Sequence, residues 1–172
     1  MLWVALHLPG FPPGTLERIA AWACQFTPRV SLEPPRALAA EVEASLRLFG
    51  GRDALLAELR AGLGALGVEA SLGVAPTARA ALWLARGGGG ELGKLPLEVM
   101  DHDLEFLKSI GISTIEALLA LPREGLAQRC GQALLDDQEG QQRRPGHEGQ
   151  CHQAGHRHGE RHHEAEQAAG EP

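Results

Sequence analysis

Every Val, Ile, Leu, Met, Phe and Trp in this chain lies at or before Leu135. From Asp136 to Pro172 none of those six residue types occurs. Such a segment buries too little apolar surface to offset the entropy of ordering it, so it is expected to be disordered. The foldable part is therefore residues 1–135, long enough for a compact core. One or two small domains suit that length.

Net charge narrows the functional classes. It is −6 over 172 residues with histidine neutral. Strong nonspecific binders of nucleic acid carry a basic face, so this balance argues against that class. Weak contact through backbone amides stays open. The three cysteines, Cys24, Cys130 and Cys151, form no Cys-x-x-Cys pair. An odd, scattered set fits a reducing cytosol better than a disulfide scaffold. Pro9, Pro12 and Pro13 interrupt the short apolar start, so no signal peptide is expected. No apolar run reaches the roughly 18 residues of a membrane span. The expectation is a cytoplasmic protein without a membrane partner.

Periodicity predicts the elements. Residues 2–7 read as a short buried strand, and Thr15 is placed to cap a helix carrying Leu16, Ile19 and Ala23. Residues 28–33 and 37–43 read as two strands around Pro34-Pro35, alternating as in a sheet with one covered face. Leu55, Leu56, Leu59, Leu63 and Leu66 mark a helix over 52–66, with Gly67 as a left-handed cap. A strand over 68–75 and a helix over 78–86, capped by Thr77, follow. The order β-α-β-β-α-β is that of the ferredoxin-like split unit, an α+β fold. Gly87 to Gly90 reads as a flexible linker over 87–94. Residues 95–135 then read as an all-helical unit, with Pro122 starting a third helix.

The segment from Leu107 to Ile115 reads as a helix-hairpin-helix. Gly111 permits the turn, Thr114 can cap the next helix, and Lys108 adds a cation. Amides at such a turn can take a DNA phosphate, so Lys108, Gly111, Ile112, Ser113 and Thr114 are the candidate DNA-contacting residues. A bare helical turn would carry the same residues. Trp3, Trp22 and Trp83 fall on apolar faces and read as core rather than as a stacking platform.

Three segments carry a resemblance. They are Leu2 to Phe11, the run Trp22-Ala-Cys-Gln-Phe-Thr-Pro-Arg-Val-Ser-Leu-Glu-Pro-Pro35, and Leu48-Phe49-Gly50-Gly51. Together they resemble the palm of Y-family (translesion, UmuC/DinB-type) DNA polymerases, and most of all the ImuB branch, whose metal-binding carboxylates are degraded. The resemblance covers residues 1–135 and implies a palm over 1–86 and a helix-hairpin-helix thumb over 95–135. In active members the first strand ends in an Asp-x-Asp motif, and a Ser-Ile-Asp-Glu motif follows. The matching positions here hold His7 and Pro9, then Glu33 and Pro34. Nucleotidyl transfer needs two divalent ions about 4 Å apart. Magnesium takes hard oxygen ligands, of which Glu33 alone is one. No catalytic residue, bound metal or cofactor is therefore expected; magnesium would be expected only of an active enzyme.

The segment Gly73-Val74-Ala75-Pro76-Thr77 resembles a palm motif whose two lysines are Ala78 and Leu82 here, the first of them the triphosphate contact in active members. Only residues 12–25 stand where the family inserts its fingers, so Phe11, at the place of the steric gate, reads as a core aromatic. The resemblance implies a noncatalytic hub of an error-prone bypass complex. Its partners would be the RecA-like ImuA, an error-prone replicative-type polymerase and, weakly, DNA. The sliding clamp is not expected, because the C-terminal clamp-binding segment has no counterpart.

Other readings stay open. Glu33, Glu41 and His7 could form an unorthodox metal set in an active polymerase. The tail histidines His147, His152, His156, His158, His162 and His163 could bind zinc or nickel. A frameshift near Asp137 would also yield such a tail and a nonfunctional fragment. A Ser31-His7-Asp53 triad lacks any nucleophile elbow.

Overall fold

The computed structural model describes residues 1–12, 14–100 and 104–122. Four strands form one sheet: β1 (Trp3–His7), β2 (Val30–Glu33), β3 (Ala37–Glu41) and β4 (Ser71–Ala75). Their spatial order is β2-β3-β1-β4, and each pairing is antiparallel. Helix α1 (Thr15–Ala23) joins β1 to β2, and α2 (Arg52–Ala65) joins β3 to β4. The fold class is α+β, and the connectivity is the split β-α-β order expected from the sequence.

Strand alternation sorts the core into two layers. Val4, Leu6, Val30, Leu38 and Ala40 face α1 and α2, which bury Leu16, Ile19, Leu55, Leu56, Leu59 and Leu63 against them. Trp3, Ala5, Ala37, Ala39 and Ala75 line the opposite face and receive a third helix, α3 (Ala78–Arg86). The sheet is therefore covered on both faces, against the expectation of one. The cause is side-chain size: with Ala5, Ala39 and Gly73 there, a helix backbone can lie almost on the sheet. A Cβ on Gly73 would stand 2.0 Å from the Ala81 carbonyl oxygen.

Local signals set the helix ends. Thr77 Oγ accepts the Ala80 amide at 3.3 Å and starts α3. Gly67, at φ +66°, turns the chain out of α2, and the Val68 amide reaches back to the Leu63 carbonyl at 2.9 Å. Helix α1 differs from expectation: Thr15 is its first residue, and Gly14 precedes it without a side-chain cap.

A second cluster surrounds Trp83, on the side of α3 turned from the sheet. It holds Leu95, Leu97, Val99, Met100, Leu104, Leu107, Ile115 and Leu118. Two short helices, α4 (Glu105–Ser109) and α5 (Ile115–Leu119), supply its far wall. Burying a side chain such as Leu107 or Ile115 stabilises by roughly 1.5–3 kcal/mol, so this layer holds firmly to α3. The four glycines are accordingly a hydrogen-bonded turn and not a loose tether. The Gly87 amide donates to the Trp83 carbonyl at 2.9 Å, and the Gly89 amide to that of Leu84 at 2.8 Å.

Cys24 is disulfide-bonded, against the expectation of free thiols; Cys130 and Cys151 are not among the described residues. The helix expected from Pro122 onward and the histidine-rich tail also lie outside them. Among the described residues no helix is long and apolar enough to cross a membrane.

Candidate functional site at the end of the sheet

Register brings the motif positions together. Glu33 pairs with Ala37, Ala37 with His7, and His7 with Ser71, so these four residues form one row across the sheet. Paired residues share a face, and this row lies on the face that α3 covers. Adjacent strands lie about 4.8 Å apart, so Glu33 and His7 are about 10 Å apart across Ala37. Pro9 and Pro34 lie just beyond the row, both exposed.

The electrostatics of the row come from residues that the motif comparison missed. Burial lowers the affinity of the half-buried His7 imidazole for a proton, and the guanidiniums of Arg86 and Arg36 lower it further. Arg36 immediately precedes Ala37, and its carbonyl accepts the Leu8 amide at 2.8 Å. Arg86 ends α3, and its Nη1 donates to the Val99 carbonyl at 3.2 Å. One signal for Arg36 was available in the sequence: a hairpin at Pro34-Pro35 must bring the next residue back beside Glu33. No such signal marked Arg86, since its arrival depends on how α3 lies across the sheet.

Glu41 belongs elsewhere. It pairs with Trp3, four residues along β1 from His7, which is about 13 Å. Its buried carboxylate accepts from Arg29 Nη1 at 3.2 Å and from the Glu43 amide at 3.0 Å. The structure therefore does not bring Glu33, Glu41 and His7 together. Among the described residues no three His, Cys, Asp or Glu side chains are grouped to hold a metal ion. The donors at the row do not fit a magnesium pair, because one carboxylate, one imidazole and two nearby cations are what it offers.

The remaining motif positions lie apart from the row. Ala78 opens α3 at the Trp3–Ala75 end of the sheet, and Leu82 is buried in the layer between α3 and the sheet. Phe11 packs against the α1–α2 core. Trp3 and Trp83 are fully buried, while Trp22 is partly buried and meets Phe26 edge to face, with centroids 5.1 Å apart. Ser31 lies on β2, and Asp53 lies in the first turn of α2 on the opposite side of the sheet from His7, so they form no triad with it.

The hairpin between α4 and α5 has the expected turn. Gly111 adopts φ +86°, and Thr114 Oγ accepts the Ala117 amide at 3.3 Å. The Gly111 and Ile112 amides are used within the turn, on Lys108 and Leu107 carbonyls at 3.0 Å each. Among the described residues the Ser113 and Thr114 amides have no acceptor. Lys108 is engaged: its Nζ lies 2.9 Å from Glu98 and 3.7 Å from Glu105. The hydrogen bond to Glu98 holds the lysine above its ordinary pKa and the glutamate below its own.

This degenerate row on a split β-α-β sheet has counterparts among known proteins. The chain is similar to Protein ImuB of Caulobacter vibrioides. Identity is 32% over 148 residues, covering 78% of this chain, for strain NA1000 / CB15N and equally for strain ATCC 19089 / CIP 103742 / CB 15. The chain spans about a third of the length of these curated relatives. No family model matches the chain, and no solved structure matches it.

Proposed function

We propose that this chain is the palm and thumb region of a noncatalytic, ImuB-like Y-family protein that serves DNA damage tolerance as an interaction component. The observation that carries this reading is the row Glu33–Ala37–His7–Ser71. It occupies the place of a polymerase metal site, yet it holds one carboxylate and is flanked by Arg36 and Arg86. Two-metal phosphoryl transfer has no ligand set there. The similarity to ImuB supports the same reading.

Partners follow as part of the proposal: a RecA-like protein of the ImuA type and an error-prone replicative-type polymerase. DNA contact is assigned to the hairpin, where the Ser113 and Thr114 amides face outward beside Gly111, Ile112 and Lys108. Glu98, Glu105 and Glu116 surround that turn, so the contact is weak and falls steeply with salt. Primer extension by the purified chain, with magnesium and then manganese, is the test. No extension is expected in either metal, and robust extension refutes the noncatalytic reading. Co-purification with an ImuA-type partner, retained when His7 and Glu33 are both replaced by alanine, is the positive counterpart.

A further inference from the structure

We propose that the sheet end formed by His7, Arg36 and Arg86 is a metal-independent binding site for a single phosphate group. Three separate elements deliver these side chains. His7 ends β1, in register with Ala37 and Ser71. Arg36 is fixed beside it by the Leu8 amide on its carbonyl at 2.8 Å. Arg86 is fixed by the close seat of α3 on Ala5, Ala37 and Ala39, and by its 3.2 Å bond to the Val99 carbonyl.

Two guanidiniums thus converge on one half-buried imidazole. Glu33 is the carboxylate in this row, and it stands across β3 from His7, about 10 Å away. The charged and titratable groups here are then two arginines, one glutamate and a histidine, with a positive excess even when the imidazole is neutral. Holding two cations together is unfavourable, and an anion between them reverses the sign of that interaction. Guanidinium forks match phosphate oxygens in geometry, and an imidazole N–H with the neighbouring Ser71 hydroxyl completes a donor set. A free phosphate, a nucleotide and a DNA backbone all present this group. The site goes beyond the noncatalytic reading but rests on it in one respect: no metal bridges protein and phosphate.

The test is amide chemical-shift titration of the whole chain in EDTA, with inorganic phosphate, dATP and a short DNA duplex as three arms, each repeated with magnesium. Saturable shifts confined to residues around His7, Arg36 and Ser71, alike with and without magnesium, are expected. Arg36 is exposed, so Arg36→Gln should fold normally while weakening binding at least about tenfold, the loss expected for a charged hydrogen bond. His7→Gln, which keeps a donor, should bind within a fewfold of the parent. Saturation by all three ligands assigns a general phosphate site, and saturation by the duplex alone assigns the DNA backbone; both support the proposal. No shifts at the row in either condition overturn it and leave the noncatalytic reading intact. Binding that appears only with magnesium overturns both.

Discussion

Gly73 is where one added methyl group should do the most damage. A Cβ there would stand 2.0 Å from the Ala81 carbonyl oxygen, 2.5 Å from the Ala85 amide nitrogen and 2.9 Å from Leu84 Cβ. Two of these three neighbours are helix backbone, so no rotamer change can clear them. To reach even a tight contact, α3 must retreat by about 1 Å. Gaps of 0.5–1 Å forfeit a quarter to a half of each dispersion contact, and α3 touches the sheet through Ala81, Leu82 and Ala85 and the second core through Trp83. Overpacking usually costs about 1–3 kcal/mol; with two layers coupled through one helix, the upper end applies. Gly73→Ala is therefore expected to destabilise by about 3 kcal/mol or more, a fall in Tm of at least about 10 °C. Gly87→Ala is the control, because its added Cβ would approach the methyl ends of Leu95 most closely, at 2.5 Å, and these can swing aside. Urea unfolding of both variants measures the difference. A Gly73→Ala chain within about 0.5 kcal/mol of the parent, or a costlier Gly87→Ala, would show that the close seat of α3 does not govern stability.

Trp3 Nε1 is buried without a hydrogen-bond partner, so Trp3→Phe gives up a costly donor along with some volume. It should cost less than about 1.5 kcal/mol, whereas Trp3→Ala should cost about 3–5 kcal/mol by thermal unfolding. His7 is held below its ordinary pKa, so the unfolded chain takes up that proton first as pH falls. Its stability contribution is flat above the ordinary value of 6.5, declines as pH drops towards the lowered folded value, and is flat again below it. The parent should therefore lose more stability than His7→Gln between about pH 7.5 and about pH 5; equal losses in urea titrations would contradict the placement. Glu41→Ala strands the Glu43 amide and the Arg29 guanidinium, and denaturant midpoints should report a loss of about 1–3 kcal/mol. Replacing His7 and Pro9 together by aspartate should not create a magnesium site, since Arg36 and Arg86 would pair with the new carboxylates first. Calorimetric magnesium binding at sub-millimolar concentration would count against that.

Much of the fold is written in the chain, but unevenly. The leucine stripe of α2 and the Gly67 stop are strong local signals, and both elements form where they point. Thr77 as the cap of α3 is equally local. What the pattern hides is the second covered face. Trp3, Ala5, Ala37, Ala39 and Gly73 do not look like an apolar strand face, because alanine and glycine carry little hydrophobic signal, yet their smallness is what admits a helix. Glycines at 87 to 90 suggest slack by composition, while the amides of Gly87 and Gly89 are bonded back to α3. At the site, His7 and Glu33 were identifiable from their motifs. The exclusion of Glu41 required the hairpin register, and the presence of Arg86 required the direction of α3. Charges that arrive from distant segments leave no local trace.

The row also shows why a metal site can vanish while its sheet persists. Packing in β1 is concentrated in Trp3, Val4, Ala5 and Leu6, all buried. His7 is only half-buried at the strand end, and Pro9 is exposed beyond it. Substitution at such positions removes little apolar burial, so it is nearly silent in folding and decisive in chemistry. Carboxylates gathered there would repel one another without cations; with the carboxylates reduced to Glu33, that demand disappears. Arginines beside the row then need no metal to balance them, and what they favour instead is an anion. The reversal of local charge, more than the loss of any single ligand, separates this sheet end from one that binds magnesium.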